Sequence, residues 1–198
     1  MQLRNSSTRF GLVAKGFHWL VALLFATQIG IGVAITNLAL THPWTFPLYQ
    51  WHKSLGALVF VLVVLRLGWR WLDRAPDLPD TLPRWQRRAA TLTHAGLYAV
   101  LLVMPLLGWI IVSASPYGIP TVLFDLVELP HIAFIVTSPH RDAIGAAASW
   151  AHWALAWGAS GLLLLHIGAA LAHHFAMKDD ILLRMLPTRG DFTSRPIR

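Results

Sequence analysis

Four apolar stretches, at about residues 17–37, 51–72, 91–113 and 148–176, leave this chain few ways to fold. A helix needs roughly 20 apolar residues to cross a hydrocarbon core about 30 Å thick. Inside lipid every backbone polar group must find a partner within the segment or its neighbours, so each stretch reads as a transmembrane helix. Composition agrees, with 56% hydrophobic residues, only 13% charged and a mean hydropathy of +0.54, well away from soluble domains. The expected fold is therefore all-α, an integral membrane four-helix bundle forming a single membrane domain over residues 1–198, with a short tail at 177–198. The first stretch is too long for a cleaved signal peptide and lacks a small-residue cleavage site before polar sequence. The link Asp73-Arg74-Ala75-Pro76-Asp77-Leu78-Pro79-Asp80 cannot continue a helix. Pro105 should kink the third span, as membrane helices tolerate. The longest connection, from Ser113 to Ala147, is partly apolar, and a short interfacial helix is expected around Thr121–Leu129. The sequence contains no internal repeat and no low-complexity tract.

Basic residues give a direction. Arg4, Arg9 and Lys15 precede or open the first span. Arg66, Arg70, Arg74, Arg84, Arg87 and Arg88 flank the link between the second and third, and Lys178, Arg184, Arg189, Arg195 and Arg198 follow the fourth. Fourteen Lys and Arg thus fall on one side, against Lys53 and Arg141 on the other. By the positive-inside rule both termini are expected in the cytoplasm, with the chain multi-pass in a bacterial inner membrane. The net charge of +7 gathers at the ends of apolar runs instead of forming one soluble basic face, which argues against nucleic acid as a partner. The tail at 188–198 reads as a flexible cytoplasmic end whose charges enforce topology or touch anionic lipid.

The chain has no cysteine and ten histidines. That excludes disulfides, thiolate zinc sites, iron–sulfur clusters and covalent haem attachment through cysteine. Metal-binding side chains inside spans are expensive and usually functional. His152 and His166 lie fourteen residues apart on the fourth span, almost four turns, so they share a face at levels roughly 21 Å apart. His52 opens the second span at the level of His152, and His18 opens the first at the level of His166. Two bis-histidine haems stacked across the bilayer follow from this pairing, His52 with His152 on the periplasmic side and His18 with His166 on the cytoplasmic side. Irons with both axial positions filled carry electrons and do not activate a bound ligand. His94, at the level of His18 and His166, could replace either as ligand, or contact a propionate or quinone. His173, seven residues beyond His166, could assist quinone protonation; an interfacial histidine that binds nothing is the plainer alternative. His42, His131 and His140 fall in periplasmic loops and are expected to be solvated. Gly56, Gly158, Gly161 and Gly168 would leave helix faces bare for a flat macrocycle, although glycine also serves ordinary helix packing. Lys53, beside His52, could pair with a propionate or attract an anion, or simply reach to the interface.

The chain resembles the bacterial cytochrome b-561 family of small dihaem membrane proteins. The likeness is carried by Phe17-His18-Trp19-Leu20, by Trp51-His52-Lys53-Ser54-Leu55-Gly56, by Thr93-His94-Ala95-Gly96 and by the Pro105–Gly108 turn. It continues through Trp150-Ala151-His152, Leu165-His166-Ile167-Gly168, Ala172-His173-His174-Phe175, Lys178-Asp179-Asp180 and Arg184-Met185-Leu186-Pro187. It covers residues 9–187. The resemblance implies two haem b groups, with superoxide as periplasmic electron donor and ubiquinone as acceptor. The leading expectation is a stand-alone superoxide:ubiquinone oxidoreductase, with Lys53 and Arg141 attracting superoxide. The alternative is a membrane anchor and electron conduit for a partner dehydrogenase or hydrogenase, docked through the loop at 113–147. A transporter with histidine-lined helices would not require histidines at paired levels.

Overall fold

The computed structural model describes residues 2–77 and 82–186. Its framework is four long helices, α1 (Leu12–Asn37), α2 (Thr45–Leu72), α3 (Arg84–Ala114) and α5 (Arg141–Ala172), each apolar and long enough to cross a membrane. All four run beyond the apolar stretches that announce them. The added turns carry residues such as Lys15, Gln50, Arg87 and Asp142, whose polar ends suit the headgroup layer without interrupting the backbone ladder. Pro105 lies inside α3, which continues through it to Ala114. The basic tail at 188–198 and part of the link between α2 and α3, residues 78–81, lie outside the described residues.

Val21 and Phe25 of α1, Val59 and Val63 of α2, Val100 and Leu101 of α3, and Ala159 of α5 form the buried centre of the bundle. Helices α1 and α2 pack together, α2 packs on α3, and α3 packs along α5. Among the described residues α5 does not pack extensively against α1 or α2. Its histidines, as shown below, nonetheless face theirs.

At one end of the bundle lie both terminal segments, and this is called here the terminal end. Asn5 ties the N-terminal segment to the end of α2: its backbone N–H donates to Asp73 Oδ2 at 2.9 Å, and its side-chain amide donates to the carbonyl oxygens of Asp73 and Arg74. The Gly11 N–H donates to Asn5 Oδ1, and the N–H groups of Leu12 and Val13 donate to the carbonyls of Gln2 and Leu3. The first turn of α1, whose donors have no partner within the helix, is thereby satisfied by chain folded back over it. Gly11 permits the approach, since a Cβ there would stand 2.4 Å from Arg4 C and Leu3 O. Gly11→Ala is expected to push this segment off the helix at a cost of about 1–3 kcal/mol. Faster limited proteolysis within residues 2–10 and a lower melting temperature would report it, and an unchanged digest would show that the contact does not hold the segment.

After α5 the chain makes a π-helical turn, His173–Met177, and Lys178 ends it in the left-handed conformation with φ of 55°. Helix α6 (Ile181–Met185) then docks on the terminal end. Lys15 Nζ donates to the Leu186 carbonyl and Trp19 Nε1 to the Met185 carbonyl, both at 2.9 Å, while Arg184 reaches Asp180 Oδ1 and the Asp77 carbonyl.

The opposite end corrects one expectation. Residues 121–129 form no helix; they form an antiparallel hairpin, β1 (Thr121–Leu123) paired with β2 (Val127–Leu129). Phe124 and Asp125 both take positive φ, 52° and 58°, the backbone that a tight primed turn requires. The hairpin is pinned to α2: Ser54 Oγ donates to the Val122 carbonyl and accepts from the Phe124 N–H. Trp51 stacks edge-on with Phe124 at 6.0 Å. Thr121, Val122 and Val127 favour strand, and tertiary bonds from α2 decide between two readings of a short apolar run. A short helix, α4 (Ala133–Val136), joins the hairpin to α5.

Candidate functional site

Two levels of side chains cross the bundle, one near each end. At the hairpin end the rings of His52 (α2) and His152 (α5) face each other with centroids 6.2 Å apart. At the terminal end His18 (α1) and His166 (α5) face each other at 6.1 Å. A metal–nitrogen bond of about 2 Å on each side places the centroids of two opposed imidazoles roughly 6 Å apart. Both pairs expected from sequence meet that separation. His94 also reaches His166, at 5.2 Å, closer than two rings across an iron would stand. Among the described residues no group of three or more His, Asp or Glu is arranged to hold a bare ion; a haem asks the protein for only two axial ligands.

The surroundings of the hairpin-end pair suit a flat group. A Cβ on Gly32 of α1 would lie 3.7 Å from His52 Cε1, and one on Gly108 of α3 would lie 3.9 Å from His152 Cε1. Both helices thus bring bare backbone to the edges of the rings. Gln28 Nε2 donates to the His52 carbonyl at 2.9 Å, and a Cβ on Gly56 would stand 3.0 Å from that amide. Gly56 therefore makes room for the glutamine that braces the backbone of His52. The Nδ1 atom of His52 is buried without a partner. A Cβ on Gly158, Gly161 or Gly168 would meet nothing within 4 Å, so these positions of α5 border open space.

At the terminal end the level is completed by arginine. Arg66 Nη2 lies 3.1 Å from His18 Nδ1, and its guanidinium stands 5.4 Å from the centre of the Tyr98 ring. Sequence reading had assigned Arg66 only to the topology count. Gly32 and Gly108 were missed as well, yet a signal for all three exists. Gly32 lies fourteen residues after His18, Arg66 fourteen after His52 and Gly108 fourteen after His94, the same interval that separates His152 from His166. Each long helix therefore presents one face at two levels almost four turns apart. The hairpin-end level receives Gly32, His52, Gly108 and His152; the terminal-end level receives His18, Arg66, His94 and His166.

The remaining candidates are anchored elsewhere. Lys53 Nζ donates to the Pro120 carbonyl at 3.1 Å, alongside Gln50 Nε2 at 3.3 Å. Arg141 donates from Nε to the Ala114 carbonyl at 2.9 Å and from Nη2 to the Ser115 carbonyl. Both cations thus sit at the hairpin end with donors committed to backbone, and their charge remains there. His173 Nδ1 pairs with Asp179 Oδ2 at 2.5 Å, while Asp179 Oδ1 accepts the Ile181 N–H. The histidine is held at the π-turn, joined to the start of α6. His131 is bonded through Nε2 to the Ile119 carbonyl, so it is tied to the loop, whereas His42 and His140 are exposed.

Comparison with known proteins gives the chain a family. Residues 9–188 match the family model described as prokaryotic cytochrome b561. Cytochrome b561 homolog 2 of Escherichia coli K12 is 33% identical over 187 residues, covering 94% of this chain and 95% of that protein. Cytochrome b561 homolog 1 of the same organism is 31% identical, covering 91% and 98%. The protein named probable superoxide oxidase CybB of Yersinia pestis is 26% identical, covering 91% and 97%.

Proposed function

The chain belongs to the prokaryotic cytochrome b561 family of haem b-binding membrane electron-transfer proteins, and from that premise we propose that it carries two haem b groups and transfers electrons from superoxide to ubiquinone across the bacterial inner membrane. The observation that carries the two-haem reading is the pair of imidazole separations, 6.2 and 6.1 Å, at two levels of one helix. His52 and His152 would hold one haem, and His18 and His166 the other. Bound in this way, haem supplies a reversible one-electron couple with no open axial position.

The protein's own residues do the rest. Gly32 and Gly108 leave the ring edges of the hairpin-end level uncrowded, and Gln28 fixes the backbone of His52. Between the levels, Val21, Phe25, Val59, Val63, Val100 and Leu101 form a dry apolar partition. The excess of Lys and Arg at the terminal end supports a cytoplasmic place for that end and a periplasmic one for the hairpin end. Lys53 and Arg141 then place positive charge where an anionic donor would arrive. Two superoxide anions release two electrons and two molecules of dioxygen; one ubiquinone takes two electrons and two protons and leaves as ubiquinol. Likeness to a protein named as a probable superoxide oxidase supports the choice of donor. His173, held by Asp179, stands ready to pass a proton at the terminal end.

The test is anaerobic addition of superoxide to the oxidised protein, followed by a ubiquinone analogue. Reduced b-haem bands should appear and then collapse. Haem bands that ignore superoxide yet respond to dithionite would sink the superoxide assignment. A charge variant refines the test. Lys53→Gln keeps an N–H donor for the Pro120 oxygen and removes the cation. It should slow haem reduction by superoxide several-fold at low ionic strength, with the difference fading in salt. Equal rates for variant and parent at low salt would remove Lys53 from the attraction.

A second reading rests on the exposed apolar side chains of the hairpin-end loops, Tyr117, Leu126 and Phe134, which are 79%, 84% and 73% accessible. They would suit docking of a dehydrogenase or hydrogenase subunit that supplies electrons in place of superoxide. Co-purification of such a subunit, together with haems inert to superoxide, would select it.

A further inference from the structure

We infer that Arg66, with Trp69 and Arg70, forms the carboxylate site that receives a propionate of the terminal-end haem; the inference rests on the two-haem reading above. A pocket opens at that end between the N-terminal segment, α1, α2, α3 and α6, and Arg66, Trp69, Arg70 and Tyr98 line it. Arg66 and Arg70 are one turn apart on α2, an arrangement in which like charges repel. Arg66, half-buried one turn further into the span, is costly there without a counter-charge, whereas Arg70 is exposed at the helix end. Among the described residues Asp73 is the one acidic residue lining the pocket, and its Oδ2 already accepts the Asn5 N–H. The Trp69 indole N–H is buried with no partner. The pocket therefore offers two guanidiniums and an unused donor, and what fits them is an anion with several acceptor atoms. Carboxylates match the guanidinium fork.

Proximity to His18 identifies which carboxylate. Arg66 contacts a candidate axial ligand directly, its Nη2 standing 3.1 Å from His18 Nδ1. A guanidinium has donors and no acceptor, so that contact is a hydrogen bond only when Nδ1 accepts, which leaves the proton on Nε2. A histidine that ligates iron through Nε2 needs the opposite tautomer, with its proton on Nδ1. Arg66 must then turn to another acceptor, and a propionate carboxylate of a haem held at His18 would supply one within the pocket that Arg66 lines. The guanidinium and the indole N–H would hold that carboxylate, and His18 would be free to ligate. Arg66 is accordingly a positioning residue for this haem.

Haem stoichiometry and the two midpoint potentials are the readouts, measured by pyridine haemochrome and by potentiometric titration of the purified full-length protein. Arg66→Gln should lower the potential of one haem and leave the other in place, because an uncompensated propionate favours the ferric state. The same haem should dissociate first on warming. Arg66→Lys should recover part of the shift, being a point charge without the fork. Arg74→Gln, an exposed arginine at the same end, controls for general charge and should change neither haem. Two haems with parental potentials in both Arg66 variants would overturn the inference while leaving the two-haem reading intact. So would equal shifts of both haems, or a shift matched by Arg74→Gln. A parent protein without haem would instead take down the reading beneath it. If Arg66→Gln does not accumulate, Arg66→Lys alone decides, since a lysine variant with parental potential and haem retention would exclude a role for the fork.

Discussion

Alanine at His152 should leave a protein that holds one haem instead of two, alanine at His166 should do the same, and the double variant should hold none. The expectation follows from how α5 is used. It supplies one imidazole to each level, His152 facing His52 at 6.2 Å and His166 facing His18 at 6.1 Å, so each substitution removes half of one proposed ligand pair and spares the other. The surviving haem should differ between the two single variants, which potentiometry would show as loss of one or the other midpoint. Substitution of these two residues removes little packing, since both rings are only partly buried, and the bundle should still insert. Haem-to-protein ratios near two in both single variants would mean that α5 is not the shared scaffold, and the pairing by level would have to be abandoned.

The second large effect separates His18 from His94. His18→Ala should abolish the terminal-end haem, whereas His94→Ala should retain it with an altered potential. The separation of the rings decides this. His18 stands 6.1 Å from His166, the span of two imidazoles across a metal, while His94 approaches to 5.2 Å, too near for an iron between them with bonds of about 2 Å on each side. His94 is then a neighbour of the ligand whose hydrogen bonding tunes it. The opposite outcome, loss of haem in His94→Ala and retention in His18→Ala, would reassign the ligand to α3. It would also explain the Arg66–His18 contact as a permanent one, so the two experiments on this level check each other.

Much of this arrangement is legible in the sequence because lipid removes ambiguity. Four apolar stretches admit only helices, and a fixed rise per residue converts His152 and His166 into two levels without any knowledge of packing. The levels of His18 and His52 follow from connectivity alone. What the sequence hides is what depends on contact. The run Thr121–Leu129 is apolar enough for a helix, and only the bonds from Ser54 and the positive φ of Phe124 and Asp125 make it a hairpin. Gly32 and Gly108 reach the rings of the hairpin-end level, and composition alone cannot say which glycine of a helix stands beside a neighbouring side chain. Arg66 is similar. Counted with its neighbours it is one more cation at a helix end, and its meaning appears only when its interval from His52 is compared with the same interval on the other three helices. Asp179 looks like a polar residue after the last span, until the π-turn returns it to His173.

The packing pattern has a consequence for how such a protein is made. Helices α1, α2 and α3 lie against one another in chain order, and α5 rests mainly on α3, with Ala159 in the shared buried centre and His152 and His166 facing α2 and α1. Newly inserted protein can therefore assemble its first three helices from side-chain packing alone, as each one follows its neighbour out of the insertion machinery. The last helix has no comparable surface of its own toward the first two. Ligation across the levels would supply that attachment, and a cofactor that binds the closed bundle alone stabilises it in proportion to its free concentration relative to its dissociation constant. The cell's haem supply would then set the steady-state abundance of the protein, because chains whose fourth helix stays unfastened are the ones that membrane quality-control proteases would remove.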